Sequence, residues 1–308
     1  MADPQTLVIG TRGSPLALAQ AHETQGRLAA ALGWSVEQLP LSVIKTTGDA
    51  IQDRPLSEAG GKGLFTKELD VALVEGAIDL AVHSAKDLPT HTPEGLAIVG
   101  YLPREDVRDA FICRRAGSLA ALPAGAVVGS ASLRRQAQVR RVRPDLQVTL
   151  LRGNVGTRLK KLESGEMDAT LLALAGLRRL GLTEHVTAIL DTDDFLPAVG
   201  QGAIAIAARA GDGRVLAALD GIVDAATGHA LAAERAFLAE LDGSCRTPIA
   251  GHARPAVGGL IFRGLVLRPD GSEALEAARA GAPADAASLG RDAGRELRAR
   301  MPAGFLGP

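Results

Sequence analysis

The chain opens with a regular alternation of short apolar runs and longer amphipathic stretches. Residues 6–12 form an apolar run that predicts a strand, and Ser14 and Pro15 supply the cap and first turn of an Ala/Leu-rich helix to about residue 31. The same rhythm predicts further elements, namely strands at 36–46, 78–82 and 96–101 and a helix at 65–75. Strands that alternate with helices are typical of a parallel or mixed sheet with helices on both faces.

The rhythm pauses at residues 102–109 and then restarts, which predicts a second lobe of the same kind. Its expected elements are strands at 110–114, 126–129, 146–152 and 169–173 and helices at 132–141 and 155–163. A further strand-like run at 196–208 could return to the first lobe.

The pattern changes after residue 227, where an amphipathic helix is followed by segments that alternate as antiparallel strands do. The helix is expected at 229–241, the strands at 249–253, 260–267 and 273–279, and a final helix at 285–300. We therefore predict an α/β protein with two doubly wound lobes and a small α+β C-terminal domain. The domains are expected at residues 1–102 with 200–220 (lobe 1), 105–196 (lobe 2) and 224–308 (the C-terminal domain).

One long segment, residues 48–63, shows no apolar periodicity at all. Glycines at 60, 61 and 63 surround Lys62 in it. A glycine-rich connection of this length predicts a mobile loop that could act as a lid over a site.

Composition places the chain among ordinary globular proteins, with 46% hydrophobic and 22% charged residues over 308 positions. No apolar run approaches the roughly 20 residues that span a bilayer, and the N-terminus lacks the pattern of a secretory signal. Two cysteines do not make a disulfide framework, and the six histidines show no metal-ligand spacing. We expect a cytoplasmic protein without a membrane segment and without a metal.

Charge is balanced over the whole chain, at a net −1, but it is not evenly distributed. Residues 107–162 contain twelve Arg or Lys against two acids, Asp109 and Asp145. Most of the twelve are arginines, whose planar guanidinium groups bind carboxylate or phosphate in a bidentate manner. This stretch therefore indicates an anionic ligand.

Three predicted strand-to-helix junctions share one design, at residues 11–15, 129–135 and 151–158. Each offers small residues, a Ser or Asn cap and arginine near the helix start, where unpaired N–H groups already favour anions. Arginine there costs roughly 0.3–1 kcal/mol when no anion is bound. The alternative is that these arginines pair with acids elsewhere in the chain. Nucleic acid is not favoured as the ligand, because aromatics make up 3% of the chain and offer no stacking platform.

The segment at residues 78–90 places Lys86 and Asp87 side by side in a polar turn after a buried strand, ahead of Pro89. An isolated pair of this kind is often a surface salt bridge. In a chain that brings arginine to several similar strand ends, we interpret Asp87 as the one acid/base group in a cleft built to bind carboxylates.

The two cysteines have different settings. Cys245 lies in a Gly/Ser/Pro loop after a helix, next to Arg246, which favours the thiolate. Cys113 lies in an apolar run and is expected in the core. A lone loop cysteine is often inert, but this one opens the third domain and could reach a cleft between the other two.

Several long motifs occur together in one order: TRGSPLALAQ, GGKGLF, HSAKDLPT, SASLRRQAQ, LRGNVGTRL, LPAVGQGA and ERAFLAELDGSC. In order and spacing they resemble the porphobilinogen deaminase (hydroxymethylbilane synthase) family over essentially the whole chain. The resemblance implies two lobes similar to type II periplasmic binding proteins and a third domain whose cysteine, here Cys245, holds a dipyrromethane cofactor by a thioether.

The resemblance also implies the reaction, in which four porphobilinogens are joined head to tail with loss of ammonia and released as hydroxymethylbilane. Each porphobilinogen carries an acetate and a propionate, and loss of ammonia leaves a cationic azafulvene, which one carboxylate at Asp87 can stabilise. A monomer is implied. The implied binding residues are Arg12, Ser14, Lys86, Ser130, Ser132, Arg134, Arg135, Arg152, Arg158 and Arg179, with Gln20 and Lys62 as secondary candidates.

The chain departs from the family's pattern in three places. Ser130-Ala131-Ser132 stands where the family often has Thr-Ser-Ser, Ser244 replaces the usual Gly before the cysteine, and Arg246 replaces an uncharged residue. These changes bear on hydrogen bonding to the cofactor rather than on its attachment.

The competing hypothesis is a non-catalytic two-lobed anion-binding protein, which would explain the arginines but neither Cys245 nor Asp87.

Overall fold

The computed structural model describes residues 6–50, 63–244 and 247–306. The chain forms two compact units: unit 1 comprises Met1–Glu105 and Ala203–Gly228, and unit 2 comprises Asp106–Gly202 and His229–Pro308. Residues 51–62, which include most of the predicted lid and Lys62, lie outside the described ranges, as do Cys245 and Arg246.

Unit 1 is built on a mixed sheet whose described strands follow the order β2-β1-β3-β10-β4. Its strands are β1 (Ile9–Arg12), β2 (Leu41–Ile44), β3 (Leu80–Ser84), β4 (Leu96–Tyr101) and β10 (Ile204–Arg209). Its helices are α1 (Pro15–Leu32), α2 (Thr47–Ala50), α3 (Lys67–Val74) and α7 (Gly213–Leu219). β1 runs parallel to β2 and β3, whereas β10 runs antiparallel to β3 and β4.

Local chemistry sets the ends of α1 as the sequence predicts. The Ser14 hydroxyl accepts a hydrogen bond from the Ala17 amide at 3.2 Å, and Gly33 ends the helix in the left-handed region at φ 66°. The predicted strand at 36–46 was wrong in its first part, because Val36–Gln38 form a 3-10 turn. The Gln38 side chain accepts from the Ser35 amide at 3.1 Å and fixes that turn, so β2 begins only after it.

Unit 2 repeats the sheet of unit 1, with described strands in the order β7-β6-β8-β5-β9. These strands are β5 (Asp109–Cys113), β6 (Val127–Gly129), β7 (Gln147–Thr149), β8 (Ala169–Ala173) and β9 (Ala188–Ile189). The accompanying helices are α4 (Leu133–Val142), α5 (Val155–Glu163) and α6 (Leu174–Arg179). β6 is parallel to β7 and β8, and β5 is antiparallel to β8 and β9. In each unit the parallel strands therefore end at one edge of the sheet.

The strand-like run at 196–208 is a strand only in its second half. Residues 196–203 form turns in which Gly200 and Gly202 adopt φ values of 74° and 87°, a region that glycine enters readily. β10 follows and pairs with β3 and β4, so this part of the chain does return to the first sheet.

The C-terminal part of unit 2 is a small α+β assembly. It contains α8 (Ala225–Glu240, which starts in unit 1), β11 (Ile249–Ala256), β12 (Gly259–Leu267), β13 (Ala274–Gly281) and α9 (Ala286–Arg300). The three strands are antiparallel, as predicted. Gly264 is required where β12 meets α8, since a Cβ there would lie 2.5 Å from the Phe237 ring.

Two doubly wound sheets and a small α+β part confirm the predicted fold class. The boundaries of the three predicted domains stay predictions. No helix within residues 6–50, 63–244 and 247–306 is long and apolar enough to cross a bilayer.

Candidate active site

A small cleft lies at the carboxyl ends of β1 and β3 in unit 1. We call it the Asp87 cleft; its polar lining includes Arg12, Ser14, Gln20, His83, Ser84 and Asp87. Open α/β sheets bind ligands at the carboxyl ends of their parallel strands, so the position suits a ligand site.

Asp87 closes a 3-10 turn, Ala85–Asp87, that directly follows β3. The turn is anchored by a hydrogen bond from the Ala85 amide to the Ala203 carbonyl at 3.0 Å. The Asp87 side chain is half-buried, and no hydrogen bond or ion pair reaches it from the described part of the chain. Lys86, its predicted companion, lies half-buried in the same turn. Asp87 is thus held by a fixed backbone with its carboxylate available to a ligand.

The neighbouring polar residues of the cleft are tied to each other. The Ser84 hydroxyl donates to the Gln20 side-chain oxygen at 3.0 Å, and Gln20 is only 3% exposed. Ser14 uses its hydroxyl oxygen to cap α1. Gln20, predicted as a secondary binding residue, therefore orients Ser84 within the cleft.

Arg12 ends β1 and carries the positive charge of the cleft. Its guanidinium carbon lies 4.1 Å from the centroid of the Phe65 ring, a cation–π contact. The sequence pattern singled out Arg12 but assigned no role to Phe65, although Phe65 ends the GGKGLF motif.

His83 is a buried member of the cleft that the sequence analysis did not single out. It is 5% exposed, and its Nε2 atom has no hydrogen-bond partner among the described residues. Burial, helped by the positive charge of Arg12, lowers the pKa of His83 to about 4. The imidazole is therefore neutral at physiological pH.

Neutral burial of His83 predicts a pH-dependent loss of stability. Between its ordinary pKa of 6.5 and the folded value of about 4, the unfolded chain binds the extra proton and the folded chain does not. Lowering the pH through that window should reduce the free energy of unfolding by roughly 3 kcal/mol from this residue alone.

Denaturant titrations of unit 1 unfolding at several pH values would measure this effect. His83→Gln should flatten the dependence between pH 6.5 and 4, whereas His22→Gln, at an exposed position of α1, should leave it in place. A His83→Gln curve parallel to that of the unchanged protein would contradict the prediction.

In unit 2, two predicted binding arginines share one buried acid. We call Arg134, Arg135 and Asp109 the arginine cluster. Arg134 Nη2 lies 2.8 Å from Asp109 Oδ2, and Arg135 Nη2 lies 2.6 Å from Asp109 Oδ1. All three residues are at most 5% exposed. Internal pairing, the alternative raised for the arginines, therefore describes these two, and their binding of carboxylates stays a prediction.

The arginine cluster is fixed further by neighbouring groups. The side-chain amide of Gln201 donates to Asp109 Oδ1 at 2.9 Å, and the Arg134 guanidinium donates to the Leu196 carbonyl at 2.7 Å. Burial alone would raise the pKa of Asp109, but the two guanidinium groups outweigh it and hold that pKa well below the usual range. One carboxylate against two guanidinium groups leaves the cluster with a net charge of +1.

The turn before β10 also joins the arginine cluster to the C-terminal part of unit 2. Glu234 on α8 is fully buried and accepts from the Gly200 amide at 2.7 Å and from the Ala253 amide at 2.8 Å. Gln201, the next residue of the turn, bonds Asp109.

The β6–α4 junction places the predicted serines next to the arginine cluster. Ser132 caps α4, accepting from the Arg135 amide at 3.4 Å, and Ser130 accepts from the Ser132 amide at 3.2 Å. The first turn of α4 contains no acid. A helix start without acids beside a net positive cluster has the chemistry to hold a carboxylate.

The remaining predicted arginines of unit 2 are half-buried and lie on two strand-to-helix connections, β7–α5 and β8–α6. Arg158, in α5, donates to the Gly153 carbonyl at 2.8 Å, and Arg179, at the end of α6, donates to the Gly202 carbonyl at 3.2 Å. Arg152 follows β7. Each lies beyond the carboxyl end of a parallel strand, as predicted for Arg152 and Arg158.

The pairing of Asp109 with the two arginines was not predicted from the sequence. Asp109 appeared only as one of two acids in a basic stretch. Its place at the start of an apolar strand was the available signal, since an acid is rarely buried without a partner.

Two family models match the chain. One, described as "Porphobilinogen deaminase, dipyromethane cofactor binding domain", matches residues 7–217. The other, described as "Porphobilinogen deaminase, C-terminal domain", matches residues 229–299.

Among curated proteins, a porphobilinogen deaminase of Nitrobacter hamburgensis is 62% identical over 292 residues, covering 95% of this chain and 92% of its own length. A porphobilinogen deaminase of Paracoccus denitrificans is 56% identical over 99% of this chain and 98% of its own. Among solved structures, the methionine-binding protein MetQ matches 71% of this chain and 89% of its own, with a TM-score of 0.43 and 13% identity.

Proposed function

The chain belongs to the porphobilinogen deaminase family, and from that premise we propose which of its residues perform the family's chemistry. The protein is a transferase that joins four porphobilinogens head to tail, with release of ammonia, to give hydroxymethylbilane in porphyrin and haem biosynthesis. Its cofactor is dipyrromethane. When bound, the dipyrromethane supplies the ring to which the first porphobilinogen is joined.

Asp87 is the acid/base group of the reaction. The observation that carries this assignment is a half-buried carboxylate with no partner in the described chain, in the same cleft of unit 1 as Arg12. When the C–N bond of porphobilinogen breaks, ammonia leaves with the electron pair and the pyrrole becomes cationic. A fixed carboxylate stabilises that cation and can then accept the proton released as the new C–C bond forms.

The arginines and serines bind the carboxylates of substrate and cofactor. Each pyrrole ring brings an acetate and a propionate, so a dipyrromethane presents four negative groups. The arginine cluster, with its charge of +1 beside the acid-free start of α4, fits such a group. The proposed binding set is Arg12, Ser14, Gln20, Lys62, Lys86, Ser130, Ser132, Arg134, Arg135, Arg152, Arg158 and Arg179.

Cys245 carries the cofactor through a thioether. Its neighbours in the sequence are linked by hydrogen bonds: the Ser244 amide donates to the Thr247 hydroxyl at 2.9 Å, and that hydroxyl donates to the Ser244 carbonyl at 2.8 Å. The other thiol of the chain, Cys113, is 7% exposed within the core of unit 2. The burial of Cys113 within a strand supports Cys245 as the attachment residue.

Intact mass spectrometry of the purified protein tests this assignment. The unchanged chain should exceed its sequence mass by two pyrrole units, Cys113→Ser should keep that excess, and Cys245→Ser should lose it together with all activity. An active protein at the bare sequence mass would overturn the proposal. So would a Cys245→Ser protein that still carries the extra mass.

We also infer the setting in which the enzyme works. Residues 1–102 with 200–220 act as the lobe that carries Asp87, residues 105–196 as the arginine-rich binding lobe, and residues 224–308 as the cofactor-attachment domain. Two cysteines without a disulfide framework support a cytoplasmic location, and the low aromatic content supports a function without nucleic acid. We expect the enzyme to act as a monomer on its small-molecule substrate.

A further inference from the structure

A contact in unit 1 involves Phe65, a residue with no assigned role in the reaction. The Phe65 ring lies in the lining of the Asp87 cleft, and the guanidinium carbon of Arg12 stands 4.1 Å from its centroid. A guanidinium group over an aromatic face is attracted by the negative charge of that face, so the contact restricts where Arg12 can point.

The ring itself is held by a close approach of backbone. A Cβ built on Gly48 would lie 2.4 Å from two carbons of the Phe65 ring and 2.8 Å from the Leu64 carbonyl oxygen. The Gly48 amide donates to that carbonyl at 2.8 Å. Only a glycine therefore allows the chain at position 48 to pass this close to the ring.

A second hydrogen-bonded contact keeps the same turn against α3. Both the amide and the hydroxyl of Thr47 donate to Glu68 Oε1, at 2.9 and 2.5 Å. These bonds tie the start of α2, which contains Gly48, to α3, so they hold the backbone at position 48 near the Phe65 ring.

We propose that Phe65, backed by Gly48, is a positioning residue that holds the Arg12 guanidinium in the geometry in which it binds a substrate carboxylate. The inference rests on the proposed function of Arg12 and adds to it the part of the molecule that orients this side chain. Phe65 acts through Arg12, so its loss should weaken porphobilinogen binding more than it slows the chemical step.

Steady-state kinetics of three variants separate the two effects. Phe65→Leu removes the aromatic face at similar volume and should raise KM about fivefold, with kcat nearly unchanged. Phe65→Tyr keeps the face and should restore KM to within about twofold of the original. Gly48→Ala leaves the Phe65 and Arg12 side chains chemically unchanged, but its added methyl group displaces the ring. This variant should therefore also raise KM.

A matched control is available in unit 2, where Arg268 stands over Phe305 at 4.9 Å, outside the proposed binding set. Phe305→Leu removes the same kind of contact and should leave KM for porphobilinogen unchanged. Equal cofactor content by intact mass would show that each variant has folded and loaded.

A double-mutant cycle decides whether Phe65 acts through Arg12. Arg12→Gln should raise KM by itself, and adding Phe65→Leu to it should change KM no further. If the two changes multiply, or if Phe65→Leu leaves KM unchanged while Arg12→Gln raises it, the positioning role is overturned. If Arg12→Gln has no effect on KM, the proposed function of Arg12 is what fails.

Discussion

Replacing Asp87 with Asn should abolish nearly all turnover while leaving the covalent cofactor and the binding of porphobilinogen in place. The amide has the size of the carboxylate but cannot accept a proton or offset positive charge. Loss of a positioned general acid/base typically costs 10²–10⁴-fold in rate, so we expect a fall in kcat of roughly this size. Ammonia release and hydroxymethylbilane formation, followed in one assay, would measure it.

The outcome has a clear control. Asp220 caps the end of α7 in unit 1 at an exposed position, so Asp220→Asn makes the same chemical change away from the cleft and should leave kcat unchanged. Intact mass should show the dipyrromethane on both variants. Near-normal rates for Asp87→Asn would remove this residue from the mechanism.

Removing the acid of the arginine cluster should have the largest effect on stability. Asp109→Ala would leave two buried guanidinium groups facing each other without a counter-charge. Breaking a buried ion pair by deleting one partner costs roughly 3–5 kcal/mol, and here two pairs lose their shared partner. We expect the denaturant midpoint of unit 2 to fall accordingly, and the protein to be loaded with less covalent cofactor.

The other acid of the basic stretch supplies the comparison. Asp145 is exposed and pairs with Arg143 at 2.6 Å, so Asp145→Ala should change the midpoint little, because solvent screens such a pair. A triple variant that replaces Asp109, Arg134 and Arg135 with apolar residues should recover stability but not cofactor binding. Equal midpoints for the Asp109 and Asp145 variants would contradict the assignment of a charged buried cluster.

Elements that depend on local chemistry were predictable from the sequence. Ser14 and Pro15 set the start of α1, and α5 and β8 begin and end at the residues that their apolar patterns predicted. Errors arose where a local hydrogen bond or a glycine turn replaced the strand, as at Val36–Gln38 and before β10. Apolar residues in such turns produce the same sequence pattern as the residues of a strand.

The sequence pattern could not predict which side chains of the site contact each other when they lie far apart in the chain. Arg134 and Arg135 were visible as basic residues at a helix start, but their pairing with Asp109 depends on how β5 lies in the sheet. Phe65 meets Arg12 only because α3 folds over β1. Position along a strand is encoded locally, whereas the identity of a side chain's neighbour is set by tertiary packing.

The turn that carries Gly200 and Gln201 makes two parts of unit 2 mechanically dependent on each other. Glu234 on α8 accepts a hydrogen bond from the Gly200 amide, and the Gln201 side chain donates one to Asp109, the acid between the two guanidinium groups. A substitution in α8 can therefore loosen an anion site to which it contributes no charge. Defects in loading the cofactor should map to this helix as well as to the arginines themselves.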